Sequence, residues 1–246
     1  MLTTDAIIIK TVNYKETDKI LTLFTLKMGI ISVIAKGARK SMKRFGGALE
    51  PFALFEAVIQ TSKKNSLHVL HEAKSKKTYL GLATDLKKLS SAAYILEMVN
   101  ITINNDIEEN RMFELVINTI ELINSSEQIN IRATVISFNL RLLSMNGFEV
   151  STSLCSICGK QLPDNRAAYF NPQKGGITCT ACGGGPILLN NSSTSILKEL
   201  SKIPVFEASQ RKFNSEQLQD IEQCMDLFIK YHLEKEPINI NFRSSY

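Results

Sequence analysis

Four of the five cysteines occur as two pairs whose spacing is typical of metal ligands. The stretch CSIC supplies Cys155 and Cys158, and after twenty further residues the stretch CTAC supplies Cys179 and Cys182. Two residues between paired thiols let both sulfurs face one ion, and two such pairs complete the tetrahedral four-sulfur shell that zinc prefers. The spacing therefore predicts one structural Zn²⁺. A shell of four thiolates leaves no position for a water molecule, which argues against a catalytic metal.

Other uses of these cysteines are less consistent with the pattern. The N-terminal stretch MLTTDAIIIKTVNY lacks a basic leader, so we expect a cytoplasmic, reducing location in which disulfides are disfavoured. A redox-active pair would not account for the second pair, and the spacing is not the usual one for an iron–sulfur cluster. Cys224 lies in an apolar helical stretch and is expected to be a buried structural thiol.

A second cluster of chemical interest is the stretch Ala35–Gly47, called the basic segment below. It carries no acid, and its cations are Lys36, Arg39, Lys40, Lys43 and Arg44. The first 80 residues hold 14 Lys and Arg against 6 Asp and Glu, whereas the remainder holds 15 against 18. This asymmetry indicates a polyanion-binding N-terminal part. We expect a flexible loop that binds nucleic-acid phosphates; a merely solvated basic loop is the alternative.

Further groups near the basic segment extend the predicted nucleic-acid site. Lys10 is expected to contribute to this site, and Lys15 and Lys19 are expected to add positive charge near the same part of the protein. Aromatic side chains can stack on bases. The candidates for stacking, each of which could equally be part of the core, are Tyr14, Phe24 and Phe45.

The elements that must position these cations read as short strands rich in β-branched and aromatic residues. They are predicted at Ala6–Val12, Lys19–Leu26, Gly29–Ala35, Phe52–Thr61 and Ser66–Ala73, with residues 63–66 linking the last two. Five short strands with one long basic connection predict a closed barrel of the oligonucleotide-binding (OB) type, and an SH3-like barrel is the competitor.

From about residue 84 the apolar period becomes helical. Predicted apolar stripes include Leu86, Leu89, Ala93 and Leu96; Phe113, Val116, Ile117 and Ile120; and Ile131, Val135, Phe138, Leu142 and Met145. Gly147 is predicted to end the third of these helices, and Asn214 to cap a last helix with Leu218, Ile221, Met225 and Phe228 on one side. The expected fold class is α+β multidomain. An OB barrel at 1–80 precedes an all-helical domain at 81–246, and this domain carries the zinc-binding insert at 151–186.

Motifs of catalysis are not found in the sequence. It contains no P-loop, dinucleotide fingerprint, HExxH or GxSxG stretch, and its acids do not pair as general acid and base. No apolar run approaches the ~20 residues that span a bilayer, so no membrane partner is expected.

The stretches KGARK…RFGGALEPF and C..CG…C..C within helical surroundings resemble the bacterial RecO family of recombination mediators over nearly the whole chain. The resemblance implies a nucleoid-associated protein that is not an enzyme, binds single- and double-stranded DNA and anneals complementary strands. It also implies work with RecR, and in some species RecF, to load RecA onto strands coated with single-strand-binding protein.

Two other classes of function stay open at this point. A zinc-ribbon enzyme that processes nucleic acid would need an acidic cluster or an open metal site. A sequence-specific DNA-binding regulator would use the cysteine insert as its reader and would discriminate strongly among duplex sequences.

Overall fold

The computed structural model describes residues 1–62, 67–103, 110–125, 129–233 and 237, so the predicted link at 63–66 lies outside the described residues. Within these ranges the chain forms two compact units. The first contains residues 1–92 and 103–124, and the second contains residues 93–102 and those from 125 onward. A domain boundary between residues 80 and 81 stays a prediction.

Five strands of the first unit form a closed barrel in the order β1-β2-β3-β5-β4. Their bounds are β1 Leu2–Tyr14, β2 Asp18–Thr25, β3 Gly29–Ala35, β4 Leu54–Gln60 and β5 Leu67–Lys77. Pairing of β1 with β4 closes the barrel, and β3 and β5 form its parallel pair. The arrangement confirms the predicted OB-type barrel.

The barrel has an apolar interior because inward and outward residues alternate along its strands. Leu21 and Leu23 of β2 are fully buried in this interior, so the intervening Thr22 points outward. β1 interrupts the alternation with a register shift between Ile8 and Lys10. Such a bulge lets Ile8 face the interior while Lys10 faces outward.

One end of the outer barrel face is covered. Ile7, Phe24 and Ile30 form a row across β1, β2 and β3, and their exposed fractions are 0%, 0% and 5%. The centroid of the Phe24 ring lies 5.3 Å from that of the Phe113 ring on helix α3 (Asn110–Ser125). The helix therefore packs on the barrel at this end, whereas Val12 toward the other end of the same face is 46% exposed.

Seven α-helices lie in the described residues: α1 Met42–Phe45, α2 Leu86–Thr102, α3 Asn110–Ser125, α4 Ile131–Met145, α5 Asn191–Lys202, α6 Val205–Gln210 and α7 Ser215–His232. The predicted stripes on α3 and α7 are buried, and the side chain of Asn214 caps α7 by accepting from the Glu216 amide.

Two of the predicted helical stripes are partly wrong. On α2, Leu86 and Leu89 are 54% and 36% exposed, because this helix buries a face that includes Tyr94, Ile95 and Met98 instead. α4 is buried on nearly all sides, whereas Met145 at its end is 42% exposed. A helix surrounded by its neighbours need not show a single apolar stripe.

The end of α4 follows the predicted glycine signal. Gly147 has a φ of +83°, and its amide donates to the carbonyl of Ser144. The Phe148 amide donates to the carbonyl of Leu143. These two bonds make a Schellman motif, in which glycine supplies the left-handed residue.

A small sheet in the order β7-β6-β8 has the bounds β6 Ala168–Asn171, β7 Gly176–Cys179 and β8 Ile187–Leu189, so its third strand lies just beyond the predicted end of the cysteine insert at 186. Phe170 is fully buried with its ring 6.4 Å from Phe228 of α7, and Nε2 of His232 lies 2.9 Å from the carbonyl oxygen of Pro172. The insert is thus anchored on α7. Across the described ranges no helix combines the length and apolar character that crossing a membrane requires.

Candidate nucleic-acid interface and metal centre

The basic segment leaves the barrel at the end of β3 and returns toward β4. It is not the unstructured loop expected from its composition, because it contains α1 and contributes to the barrel core. Phe45 is 3% exposed and Ala48 fully buried among the interior residues. Phe45 therefore holds the C-terminal end of α1 against the barrel, and Ala48 holds the residues just after the segment.

Asp18, the first residue of β2, fastens the start of the basic segment. Its Oδ1 accepts from the Gly37 amide at 2.8 Å and from the Thr17 hydroxyl at 3.0 Å. These hydrogen bonds lower the pKa of Asp18 below its ordinary value, with a smaller contribution from the charges of Lys15 and Lys36. Hydrogen bonding and nearby cations both favour the ionised carboxylate.

The neighbouring turn adds two more bonds to the segment. The Arg39 amide donates to the carbonyl of Thr17 at 3.0 Å. Nη1 of Arg39 donates to the carbonyl of Glu16 at 3.1 Å. Thr17 of the β1–β2 turn and Asp18 of β2 thus bind two backbone amides of the segment, and the Glu16 carbonyl binds the side chain of Arg39.

Arg44 fastens the segment from its other end. Its Nη2 donates to the carbonyl of Lys36 at 2.7 Å, and its Nε donates to the Ser41 hydroxyl at 3.2 Å. The guanidinium carbon lies 4.9 Å from the centroid of the Phe45 ring. Arg44 is half-buried, and part of its donor capacity is used within the protein.

The remaining cations point to solvent: Lys36, Arg39, Lys40, Lys43 and, on β1, Lys10 are all exposed. In the parts of the chain that the structure describes, none of the five cations of the basic segment is ion-paired with a carboxylate. Their charge is consequently available to an external anion.

The open end of the outer barrel face lies between Lys10 and the basic segment. Paired residues of neighbouring strands share one face, and two rows cross β1, β2 and β3 here. The first row is Lys10, Thr22 and Ser32, and the second is Val12, Ile20 and Ile34. Val12 is 46% exposed and the two isoleucines are partly exposed, so this face offers a shallow apolar strip bordered by cations.

The structure separates the three candidate stacking residues. Phe24 and Phe45 are buried, so neither is accessible to a base. Tyr14 is 41% exposed at the end of β1, and Nζ of Lys15 lies 5.4 Å from its ring centroid. Tyr14 is the stacking candidate that the geometry retains.

The four paired cysteines converge in the second unit. Their sulfur atoms all lie within 4.8 Å of one another, and those of Cys158 and Cys179 are 4.0 Å apart. Each pair forms a tight turn closed by a following glycine: the Gly159 amide donates to the Cys155 carbonyl at 2.8 Å, and the Gly183 amide to the Cys179 carbonyl at 2.9 Å. Gly159 and Gly183 have φ values of +70° and +61°, which glycine adopts without strain.

The donor set fits a metal ion of the soft or borderline class. Tetrahedral coordination with bonds of about 2.3 Å requires sulfur–sulfur edges of about 3.8 Å, close to the observed spacing. Burial raises the pKa of Cys155, but backbone N–H donors from Cys158, Cys179 and Ile157 outweigh it and lower the pKa to about 6. Hydrogen bonding with the other sulfurs raises the pKa of Cys182 to about 12. Four adjacent thiols can all ionise only with a cation between them, so the arrangement could hold one metal ion.

The chain combines a five-stranded barrel of the OB type, a fold that many nucleic-acid-binding proteins use, with helices that carry a four-cysteine module. The family model "Recombination protein O N terminal" matches residues 1–79, and "Recombination protein O C terminal" matches residues 83–239. The chain belongs to the recombination protein O family.

Curated relatives are similar in sequence to most or nearly all of this chain. The DNA repair protein RecO of Desulfatibacillum aliphaticivorans is 31% identical over 98% of this chain and 95% of its own length. That of Alkaliphilus metalliredigens is 28% identical over 99% of this chain and 97% of its own. The Geobacter sulfurreducens relative is 32% identical over 74% of each chain.

Sequence reasoning missed the residues that hold the basic segment in place. Asp18 gave little signal because an isolated acid before a strand is common, and its partner Gly37 is distant in sequence. Arg44 was grouped with the other cations by charge alone. The only available signal was Gly37 itself, since glycine directly after a strand often marks a residue of positive φ, here +66°.

Proposed function

We propose that this protein is a DNA repair and recombination mediator that binds single- and double-stranded DNA and anneals complementary strands. The observation that carries the proposal is the group of solvent-facing cations, unpaired with carboxylates among the described residues, on an OB-type barrel. The proposed site residues are Lys10, Lys36, Arg39, Lys40, Lys43 and Arg44, within a nucleic-acid-binding domain at 1–80.

The cations would act through the phosphate backbone. Each phosphate that a cation neutralises releases condensed counterions, which favours binding without reading the base sequence. The apolar strip of Val12, Ile20 and Ile34 lies beside these cations and suits the faces of unpaired bases, and Tyr14 can stack on a base at its edge. Screening the repulsion between two strands lets complementary bases meet, so annealing needs neither a chemical step nor a nucleotide.

The partners of the proposed mediator follow from the family. The helical domain at 81–246 would dock RecR and single-strand-binding protein, and RecF would join in species that use it. The protein would then help RecA to load onto strands coated with single-strand-binding protein. The action is proposed to be non-enzymatic and to take place in the bacterial cytoplasm at the nucleoid.

The metal of the insert at 151–186 is proposed to be one structural Zn²⁺. Cys155, Cys158, Cys179 and Cys182 would hold it, and four thiolates satisfy the tetrahedral preference of zinc with no open position. The ion would cross-link the two tight turns that carry the cysteine pairs. The chain's own residues supply the rest of the insert's stability through β6 and its contact with α7.

A strand-annealing assay tests the proposed function. Two complementary labelled strands should form duplex faster with the protein than without it, in buffer that lacks nucleotide, and pre-coating the strands with single-strand-binding protein should not abolish the acceleration. Raising the salt concentration should slow the reaction, because phosphate contacts weaken. Annealing no faster than the protein-free control would contradict the proposal, and cleavage of the strands on adding Mg²⁺ or Zn²⁺ would favour a nuclease.

A further inference from the structure

An acid lies at the base of a site that should attract an anion. Hydrogen bonds from Gly37 and Thr17 lower the pKa of Asp18 below its ordinary value, and the charges of Lys15 and Lys36 make a smaller contribution. A carboxylate among phosphate-binding cations repels DNA, so by charge alone Asp18 weakens binding. Its hydrogen bonds indicate that Asp18 also stabilises the conformation of the basic segment.

The bonds of Asp18 determine the path of the basic segment. Its carboxylate holds the Gly37 amide at 2.8 Å, just where the segment turns away from β3. Gly37 has a φ of +66°, and an added Cβ there would lie 3.1 Å from Nη2 of Arg44. The contacts of Asp18 and Arg44 therefore meet at Gly37. Asp18 accepts from the amide of Gly37, and Arg44 packs beside the same residue. Arg44 also donates to the carbonyl of Lys36 at 2.7 Å.

We propose that Asp18 and Arg44 are positioning residues that hold the basic segment in its DNA-binding conformation, and that Lys36, Arg39, Lys40 and Lys43 supply the phosphate contacts. The inference rests on the proposed function. A segment that is already folded loses less conformational freedom on binding than a free loop, so more of the phosphate attraction appears as affinity.

Charge and positioning make opposite predictions for Asp18→Ala. This variant removes a negative charge from the site, so charge alone predicts tighter DNA binding. Positioning predicts weaker binding, by about tenfold, because the side-chain oxygen that accepts from Gly37 and Thr17 and orders the segment is lost. Asp18→Asn keeps an oxygen acceptor for Gly37 and should bind DNA at least as well as the wild type.

The test measures binding of a labelled single-stranded oligonucleotide to the full chain at one low salt concentration, with circular dichroism to verify folding. Glu50→Ala is the charge-matched control, since Glu50 is exposed and follows the segment in sequence. Support requires weaker binding for Asp18→Ala, with Asp18→Asn and Glu50→Ala equal to or tighter than wild type. If Asp18→Ala binds as tightly as Glu50→Ala, or if Asp18→Asn is as weak as Asp18→Ala, the positioning role of Asp18 is wrong.

Arg44→Lys provides a second, charge-neutral test that does not depend on the folding of the aspartate variants. Lysine keeps the charge but lacks the planar fork that reaches both Ser41 and the Lys36 carbonyl. Positioning predicts a several-fold loss of affinity and faster hydrogen exchange at the amides of the segment; unchanged affinity and exchange would overturn the role of Arg44. Wild-type protein that fails to bind DNA would refute the proposed function itself. If the wild type binds DNA and the variants bind it equally well, only this inference is refuted.

Discussion

Reversing two charges in the basic segment, with Arg39→Glu and Lys40→Glu together, is expected to weaken DNA binding by about a hundredfold at low salt. Both residues are exposed, and neither pairs with a carboxylate in the described part of the chain. The variant would remove two of the proposed phosphate contacts and place two repulsive charges beside the remaining cations. Fluorescence anisotropy with single- and double-stranded oligonucleotides measures the change.

A matched control separates the site from net charge. Lys202→Glu with Lys212→Glu makes the same change in total charge on exposed residues of the second unit. We expect this control to retain most of the wild-type affinity and both variants to keep the wild-type circular dichroism spectrum. Equal losses in the two double variants would mean that overall charge, and not the basic segment, drives binding.

Replacing one cysteine pair, with Cys155→Ser and Cys158→Ser, is expected to eliminate bound zinc and to unfold the insert. Serine is a poor zinc ligand, and two remaining thiols cannot complete a tetrahedral shell. Structural zinc sites in small peptides contribute an apparent ~10–16 kcal/mol at neutral pH, so the loss should be visible as a large fall in melting temperature. Metal analysis of the purified protein should change from one zinc per chain to none.

The fifth cysteine provides the control for this experiment. Cys224 is fully buried on α7 and is not part of the four-sulfur cluster. Cys224→Ala should therefore retain one zinc per chain, with only the modest destabilisation that a small cavity causes. Full zinc content in the Cys155 and Cys158 double variant would place the metal elsewhere and contradict the assignment.

The sequence was sufficient to predict the barrel because its strands follow simple rules. The strands are rich in β-branched and aromatic residues, and the long connection between β3 and β4 carries the charge. The cysteine cluster was equally predictable, since the spacing within each pair is a local property of the chain. Gly147 and Asn214 gave correct helix boundaries for the same reason: caps depend on neighbouring residues.

What could not be predicted depends on contacts between distant parts of the chain. Phe24 lies on the outer face of its strand, and only the packing of Phe113 from α3 explains why it is buried. Phe45 follows five cations in an apparently polar loop, yet it enters the barrel core. The sheet β6–β8 was not predicted either, because its short strands depend on the four-cysteine turns and on Phe228 of α7 for their place.

The most direct test of the account is the salt dependence of oligonucleotide binding by the wild-type protein. Contacts from the four exposed cations of the basic segment, Lys36, Arg39, Lys40 and Lys43, to four phosphates predict that log K falls against log salt with a slope of about −3.6 for duplex and about −2.8 for single strands, and a further contact from Lys10 would make the slope steeper. The affinity for duplex should thus drop about a hundredfold between ~50 and ~200 mM salt. A slope near zero would contradict the claim that the basic segment binds DNA through its phosphates.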